Sequence, residues 1–340
     1  MKRSHPRPEA LPEAPPAALL ARLADGAEHS GSALAAELGI TRAAVWKQVE
    51  RLRAHGVAIR AEAGRGYALE APIELLDAAE IAAAVPSDRR AAIGAIDVFW
   101  QIDSTSSALA RAIGNGAPVC ACLAEIQTRG RGRRGRHWRM PLGGGIALSY
   151  LRQFDGAMAS LAGLSLVAGV AVLRAFEDLD VAGAALKWPN DIVAGDRKLG
   201  GILVEVGGDA LGPCHAIVGI GINARLGAAG AAIDQPWTDL FALTGGKPPS
   251  RNALAGRVLS RLADALDAFE ARGFPAFADE YAGHDALRGR RIAVSNGRES
   301  HAAIALGVSP RGALRIARDG SEHEIDSGEI SVRACEAGAA

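Results

Sequence analysis

Residues 129–139 read Arg-Gly-Arg-Gly-Arg-Arg-Gly-Arg-His-Trp-Arg, six arginines and three glycines with no acid, set between two strongly apolar segments. Such a stretch is a loop. Glycines let the backbone turn its N–H groups toward a ligand, and guanidinium forks match phosphate or carboxylate oxygens two at a time. The pattern reads as a phosphate-binding loop, with a disordered Arg/Gly tract of the RNA-binding kind as the alternative from these residues alone. Because the whole chain carries no net formal charge, any contact with a polyanion must come from local clusters of this sort. A second cluster lies at 41–60, where Arg42, Lys47, Arg51, Arg53 and Arg60 stand against Glu50.

A length of 340 residues calls for two or three domains, since single cores stop growing near ~250–300 residues, and a 49% hydrophobic content supplies them. Cys120 and Cys122 fall on one face of a strand and suit a buried structural pair better than a metal site; Cys214 and Cys335 are scattered. The expectation is no zinc, no disulfides and a cytoplasmic protein. The opening carries five prolines and no signal-peptide core, and no apolar run reaches the ~20 residues a membrane helix needs.

Residues 1–16 are expected to be disordered. Over 17–70, a short helix precedes Ser30-Gly31-Ser32, an N-cap for a helix carrying Leu34 and Leu38, and Gly39 ends it. Thr41 caps a second helix with Val45, Val49 and Leu52 inward. Val57–Glu62, Gly64-Arg65-Gly66 and Tyr67–Leu69 complete a winged helix-turn-helix. Its cationic outer face suggests DNA, with Ser32, Thr41, Arg42, Lys47, Arg51 and the wing-tip Arg65 as candidate contacts; a small interaction module is the alternative.

Residues 71–90 read as a linker with a capping helix. From 91 to 284, apolar strands (95–101, 119–127, 146–151, 185–188, 201–206, 216–221) alternate with helices (107–114, 158–179, 251–271), an α+β domain around a large, partly antiparallel sheet. Residues 285–336 change to short strands separated by turns such as Asn296-Gly297, Pro310-Arg311-Gly312 and Asp319-Gly320, which predicts a small β-barrel.

Four segments of the central domain place polar groups at strand ends, where binding sites concentrate. Asp103-Ser104-Thr105-Ser106 opens a helix and offers hydroxyls and free N–H groups. Gln127 closes a strand at the threshold of the arginine loop. In Lys187-Trp188-Pro189-Asn190-Asp191 the proline must break the strand and expose Asn190 and Asp191, and the turn before Lys198 returns that lysine toward the same edge. Lysines neutralise phosphate and a carboxylate can hold Mg²⁺, so this reads as a nucleotide site or, more plainly, as a charged hairpin. Gly219-Ile220-Gly221-Ile222-Asn223 ends another strand on an amide. There is no Walker motif, no Rossmann fingerprint and no GxSxG elbow, so a nucleotide would be bound by another architecture.

Together, Asp103-Ser104-Thr105, the loop at 130–138, Lys187–Asp191, Arg197-Lys198-Leu199 with Gly201, Gly221 with Asn223, Arg42-Ala43-Ala44 in the second helix, and Glu329-Ile330-Ser331 near the end resemble the bacterial bifunctional biotin protein ligase/biotin-operon repressor family over nearly the whole chain. The resemblance implies a class II synthetase-like central sheet, a C-terminal SH3-like barrel and an N-terminal DNA-binding domain. It implies biotin contacts at Ser104, Thr105, Ser106, Gln127, Arg131, Gly132, Arg133 and Lys198, and adenylate contacts at Arg134, Arg136, Asn190, Asn223, Trp237 and Arg333. Lys198, Arg131, Asp191 and Lys187 are the catalytic candidates, with Asp191 also the candidate Mg²⁺ ligand. The implied activity is that of a biotin–[acetyl-CoA-carboxylase] ligase using ATP, with a biotin carboxyl carrier protein and operator DNA as partners and a homodimer when adenylate is bound. A lipoate or octanoate ligase, or a biotin sensor without ligase activity, are the rivals. Trp46 departs from the pattern, standing in the DNA-facing helix where a small polar residue is usual.

Overall fold

The computed structural model describes residues 14–62, 64–114, 119–295, 299–326 and 331–334. The turn at Asn296-Gly297, residues Glu329 and Ile330, and Cys335 lie outside them. In the N-terminal domain, α1 (Ala17–Leu23), α2 (Gly31–Leu38) and α3 (Arg42–Ala54) precede the hairpin β1 (Ile59–Glu62) and β2 (Gly66–Leu69). Ser30 and Thr41 cap α2 and α3 by accepting from Ala33 N and Ala44 N, and Gly39 ends α2 in the left-handed region. Leu34, Val45, Val49 and Leu52 are fully buried with Leu19, Leu20 and Leu23.

This core extends into the central domain. Leu142 belongs to it, and Ile73, Leu75, Trp100 and Ile126 pack against it. The three residues before α1, expected to be disordered, have fixed partners: Arg51 donates to Ala14 O at 2.6 Å and the Trp100 indole to Pro15 O at 2.7 Å. Residues 71–90, expected as a linker with a capping helix, hold that helix and are packed against the domain. They carry α4 (Ala78–Ala84), and Leu76, Ile81 and Val85 join the central core. A buried ion pair between Arg251 and Glu125 at 2.9 Å anchors this segment, since Glu125 accepts from Leu76 N and Arg251 donates to the Glu74 carbonyl. Removing one partner of such a pair costs about 3–5 kcal/mol, because the other is left buried and unpaired.

After α5 (Arg90–Ile93), the central domain runs β3 (Ala95–Ile102), α6 (Thr105–Gly114), β4 (Val119–Gln127), β5 (Gly145–Phe154), α7 (Leu164–Glu177), β6 (Ala185–Lys187), β7 (Asp191–Ala194), β8 (Arg197–Gly208) and β9 (Cys214–Asn223). The seven strands form a mixed sheet in the order β3-β4-β5-β9-β8-β7-β6, parallel only between β3 and β4. α8 (Leu240–Leu243), α9 (Arg251–Arg272) and α10 (Ala278–His284) follow. Ile146, Leu148 and Tyr150 of β5 and Val218, Ile220 and Ile222 of β9 face the core with α7 and α9, while α6 covers part of the other face through Leu109, Cys122, Leu151 and Ile217. The helix expected over 158–179 is broken: a 3₁₀ turn at Met158–Leu161 precedes Gly163, whose φ of +83° and closeness to the Phe274 ring stop the helix from starting before Leu164.

The C-terminal strands β10 (Arg291–Ser295), β11 (Ser300–Val308), β12 (Leu314–Arg318), β13 (Ser321–Ile325) and β14 (Ser331–Ala334) form an antiparallel sheet in the order β13-β12-β11-β10-β14. A register shift between Ala305 and Gly307 bends β11. The Trp188 indole donates to Gly312 O at 3.1 Å, fixing this sheet to the central domain.

Candidate functional site

The strand register assembles the site. In antiparallel pairs opposite residues share a face, so Ala147, Gly221, Gly201, Asp191 and Lys187 form one row across β5, β9, β8, β7 and β6. A second row holds Cys122, Ser149, Gly219 and Leu203. Both rows lie opposite α7 and α9. The alternation in Gly219-Ile220-Gly221-Ile222 sends the isoleucines to the core and leaves the other face without side chains. There the Trp138 indole lies against Gly221, where an added Cβ would come within 2.4 Å of the ring. The cavity of about 850 Å³ above these rows is lined by fifteen of the sixteen residues expected to touch biotin or nucleotide or to act in catalysis. The sixteenth, Arg333, has its backbone in β14 opposite Ala293, and its side chain lies outside the described residues.

One end of the cavity is a chain of hydroxyls. Thr105 donates from both its backbone N–H and its Oγ1 to Gln127 Oε1, at 2.9 and 3.1 Å. Ser149 Oγ bridges Thr105 Oγ1 at 2.8 Å and Ser106 Oγ at 2.9 Å. Ser104, Thr105, Ser106 and Ser149 are all buried. Rotatable hydroxyls held this way can donate to or accept from a polar, uncharged head group.

The arginine loop closes over the other end. Its root is pinned where Thr128 N and Arg129 N donate to the Ile102 and Asp103 carbonyls. Arg131 and His137 form a bridge, and Arg133–Gly135 make a 3₁₀ turn with Arg134 in the left-handed region at φ +58°. Arg131 pairs with Glu205 at 2.7 Å, and Arg133 donates to Asn190 Oδ1 at 3.3 Å. Burial pulls the Arg133 pKa down, and the Asp191 charge opposes that shift. A guanidinium stays charged through such shifts, so Arg133 is a half-buried cation.

Asn190 donates to Ile202 O at 2.7 Å, which holds the β6–β7 turn against β8. Lys198 reaches Asp191 Oδ1 at 2.5 Å. Lys198 also exchanges backbone hydrogen bonds with Pro236 and Thr238 on either side of Trp237, whose ring packs on Gly230. Asn223 donates its side-chain N–H groups to the Lys198 and Thr238 carbonyls, at 3.3 and 3.0 Å. From the C-terminal sheet side, Arg290 lines the same cavity and pairs with Asp196 at 2.7 Å, which holds the Asp196 carboxyl below the usual carboxylate range.

A resident Mg²⁺ on Asp191 does not fit. Lys198 already occupies one of its oxygens, Arg133 lies nearby, and no group of three or more His, Cys, Asp or Glu able to hold a metal occurs among the described residues. Ser149, Glu205 and Arg290 belong to the site but were not singled out from the sequence, where Trp138 stands only as the end of the 130–138 motif, without a contact role. Ser149, Glu205 and Arg290 meet the site through register or across domains, which spacing does not reveal.

On the expected DNA face, Arg42 and Lys47 are exposed with no ion pair among the described residues. Ser32 lies at the start of α2, its hydroxyl 3.2 Å from Ser30 Oγ, and Thr41 serves as a cap. Arg51 is turned back to Ala14 O, and Arg65 pairs with Glu62 and Glu28 at 3.1 and 3.3 Å. No helix among the described residues is long and apolar enough to cross a membrane.

Residues 99–223 match the biotin/lipoate A/B protein ligase family, and residues 17–68 match a helix-turn-helix domain. The chain is 36% identical to the bifunctional ligase/repressor BirA of Salmonella typhimurium over 94% of its length and 98% of that protein. It is 35% identical to the BirA of Escherichia coli over the same shares. The solved biotin protein ligase of Aquifex aeolicus, in complex with biotin and ATP, superposes with a TM-score of 0.61 at 30% identity, covering 71% of this chain and 99% of that one. With a ligase sheet, a helix-turn-helix domain and near-full-length similarity in one chain, the protein belongs to the BirA family of bifunctional biotin protein ligases and repressors.

Proposed function

We propose that the protein joins biotin to a lysine of a biotin carboxyl carrier protein in the cytoplasm, using ATP, and that the same polypeptide represses biotin-synthesis genes when its site is filled. The convergence of Arg131, Arg133 and Lys198 on one cavity that ends in a buried hydroxyl chain carries this reading.

A carboxylate is a poor acyl donor, so coupling to an amine needs activation. One biotin carboxylate oxygen attacks the α-phosphate of ATP, the bond to the β-phosphate breaks, and biotinyl-5′-AMP and pyrophosphate result. The acceptor lysine, as the free amine, then attacks the mixed anhydride carbonyl, AMP leaves, and the amine loses its proton. Neither step requires a protein nucleophile, which suits a cavity without a Ser-His or Cys-His pair. Ser104, Thr105, Ser106, Ser149 and Gln127 would orient the ring of biotin. Lys198 and Arg133 neutralise the carboxylate and α-phosphate as they approach, a positioning and charge effect. Asp191 holds Lys198 in place and is the candidate contact for the acceptor amine; Lys187 stands beside it in the same row. Trp237 is the candidate adenine platform, Asn223 and Asn190 edge contacts, and Arg134, Arg136 and Arg333 cations for the nucleotide. Closure of residues 129–139 over the adenylate would exclude water from the anhydride.

ATP–pyrophosphate exchange tests the reading. Biotin should drive exchange, and lipoate and octanoate should not; exchange driven only by those acids, or by none, would reject it. For repression, the adenylate is read as promoting a homodimer that presents two helix-turn-helix domains to operator DNA. Gel shifts on DNA upstream of the biotin-synthesis genes should tighten when biotin and ATP are added, and an unchanged affinity would reject that half of the proposal.

A further inference from the structure

Trp46 is 55% exposed, and of the large hydrophobic residues that are exposed among the described residues it alone belongs to the N-terminal domain. Val45, Val49 and Leu52 of α3 are fully buried, so the inward face of the helix is taken and Trp46 is turned away from it. Side chains on a helix lean toward its N-terminus and cover the turn before their own Cα. That lean directs the indole toward the Arg42–Ala43 turn at the start of α3. That end of a recognition helix approaches base edges in a helix-turn-helix complex. Arg42 one turn earlier and Lys47 beside it supply cations for the flanking phosphates, while Glu50 one turn later is neutralised by Arg53 at 2.7 Å.

We propose that Trp46 reads a thymine in each half-site by packing its indole on the 5-methyl group in the major groove. Thymine alone offers an apolar knob there, and apolar side chains recognise it. An indole has no acceptor, so it gains nothing from the cytosine or adenine amino groups that compete for the same position. The proposal rests on the repressor reading and names the base preference that reading leaves open.

The experiment uses the full chain with biotin and ATP. Duplexes are selected from a random pool, and each thymine of the selected site is then replaced in turn by deoxyuridine, which removes only the methyl group. One thymine per half-site should show a loss of about fourfold, the value of one buried methyl-sized group. Trp46→Ala should bind the thymine duplex about fourfold more weakly per half-site and bind both duplexes equally, whereas Trp46→Phe keeps the discrimination. Arg42→Ala should weaken both duplexes alike and preserve their ratio. An unchanged thymine-to-deoxyuridine ratio in Trp46→Ala would overturn the proposal. So would a Trp46→Ala variant whose self-association changes in sedimentation while its ratio stays that of the parent, since Trp46 would then face a second copy of the chain. If the parent chain selects no duplex at all, the repressor reading itself fails, a result distinct from selection without methyl sensitivity.

Discussion

The arginines of residues 129–139 and those of the N-terminal domain look alike in composition but differ in what surrounds them. In the loop, Arg131 and Arg133 border a cavity and are held there by Glu205 and Asn190. In the N-terminal domain, Arg51 is committed to the Ala14 carbonyl, Arg53 to Glu50 and Ile59 O, and Arg65 to Glu62 and Glu28. A cluster of cations becomes a binding surface where the fold brings them to a cavity or an open face: Arg131 and Arg133 keep their partners but stand in a cavity wall. On the recognition helix Arg42 and Lys47 are exposed with no ion pair among the described residues, while Arg51 is turned back to the Ala14 carbonyl.

The contrast is sharpest in the candidate site. Lys198→Ala removes an oriented cation without removing core volume, and should cost about 2–4 kcal/mol of transition-state stabilisation in adenylate formation. Pyrophosphate exchange with biotin, alongside a thermal melt to establish folding, measures it. Exchange at the parent rate would mean that the Lys198–Asp191 pair is only structural.

On the DNA side, Arg42→Ala should flatten the dependence of log K on log salt by about one unit per protomer, the signature of a lost phosphate contact. Arg51→Ala should leave the slope unchanged. Equal slopes for the two variants would erase the distinction drawn between free and committed arginines.

A smaller effect is expected from Glu205→Gln. The pair it forms with Arg131 is partly exposed, worth at most about 1 kcal/mol in stability. With its restraint gone, Arg131 should leave the loop open to trypsin in the free protein more often, so cleavage within residues 129–139 should quicken by a few-fold, while biotin plus ATP should restore protection. No change in cleavage would show that the ion pair does not hold the loop.

The smallest effect concerns Cys122, whose thiol is pushed up to about 12 by burial beneath α6. A thiol with that value stays protonated at neutral pH and is inert, because the thiolate is the nucleophile. Alkylation at pH 7 should spare Cys122 until the protein is unfolded; rapid modification of the native chain would contradict its place in the core.

Local signals carried much of this to the reader of the sequence. Ser30 and Thr41 cap their helices, Pro189 breaks the strand, and the polar groups at 104–106, 187–191 and 198 face one cavity because each sits at a strand end. What spacing did not reveal depends on distant partners. Ser149 reads as one small residue in an apolar strand until β5 is paired with β4 and β9 and α6 is laid over it. Glu205 becomes the partner of Arg131 only through the length of β8, and Arg290 enters from the next domain. β7 was overlooked because four residues, Asp191–Ala194, give too short a pattern to distinguish from a turn. The segment 71–90 looked like a linker because its anchors, Glu125 and Arg251, are far away in sequence.

Transfer to an acceptor tests the central claim most directly. The purified chain is mixed with biotin, ATP and a biotin carboxyl carrier domain, and the carrier is weighed by mass spectrometry. One biotinyl group should appear on the acceptor lysine, be absent when that lysine is replaced by arginine, and form far more slowly with Lys198→Ala. A carrier that gains no biotin from the parent chain, or gains it equally fast from Lys198→Ala, would contradict the account.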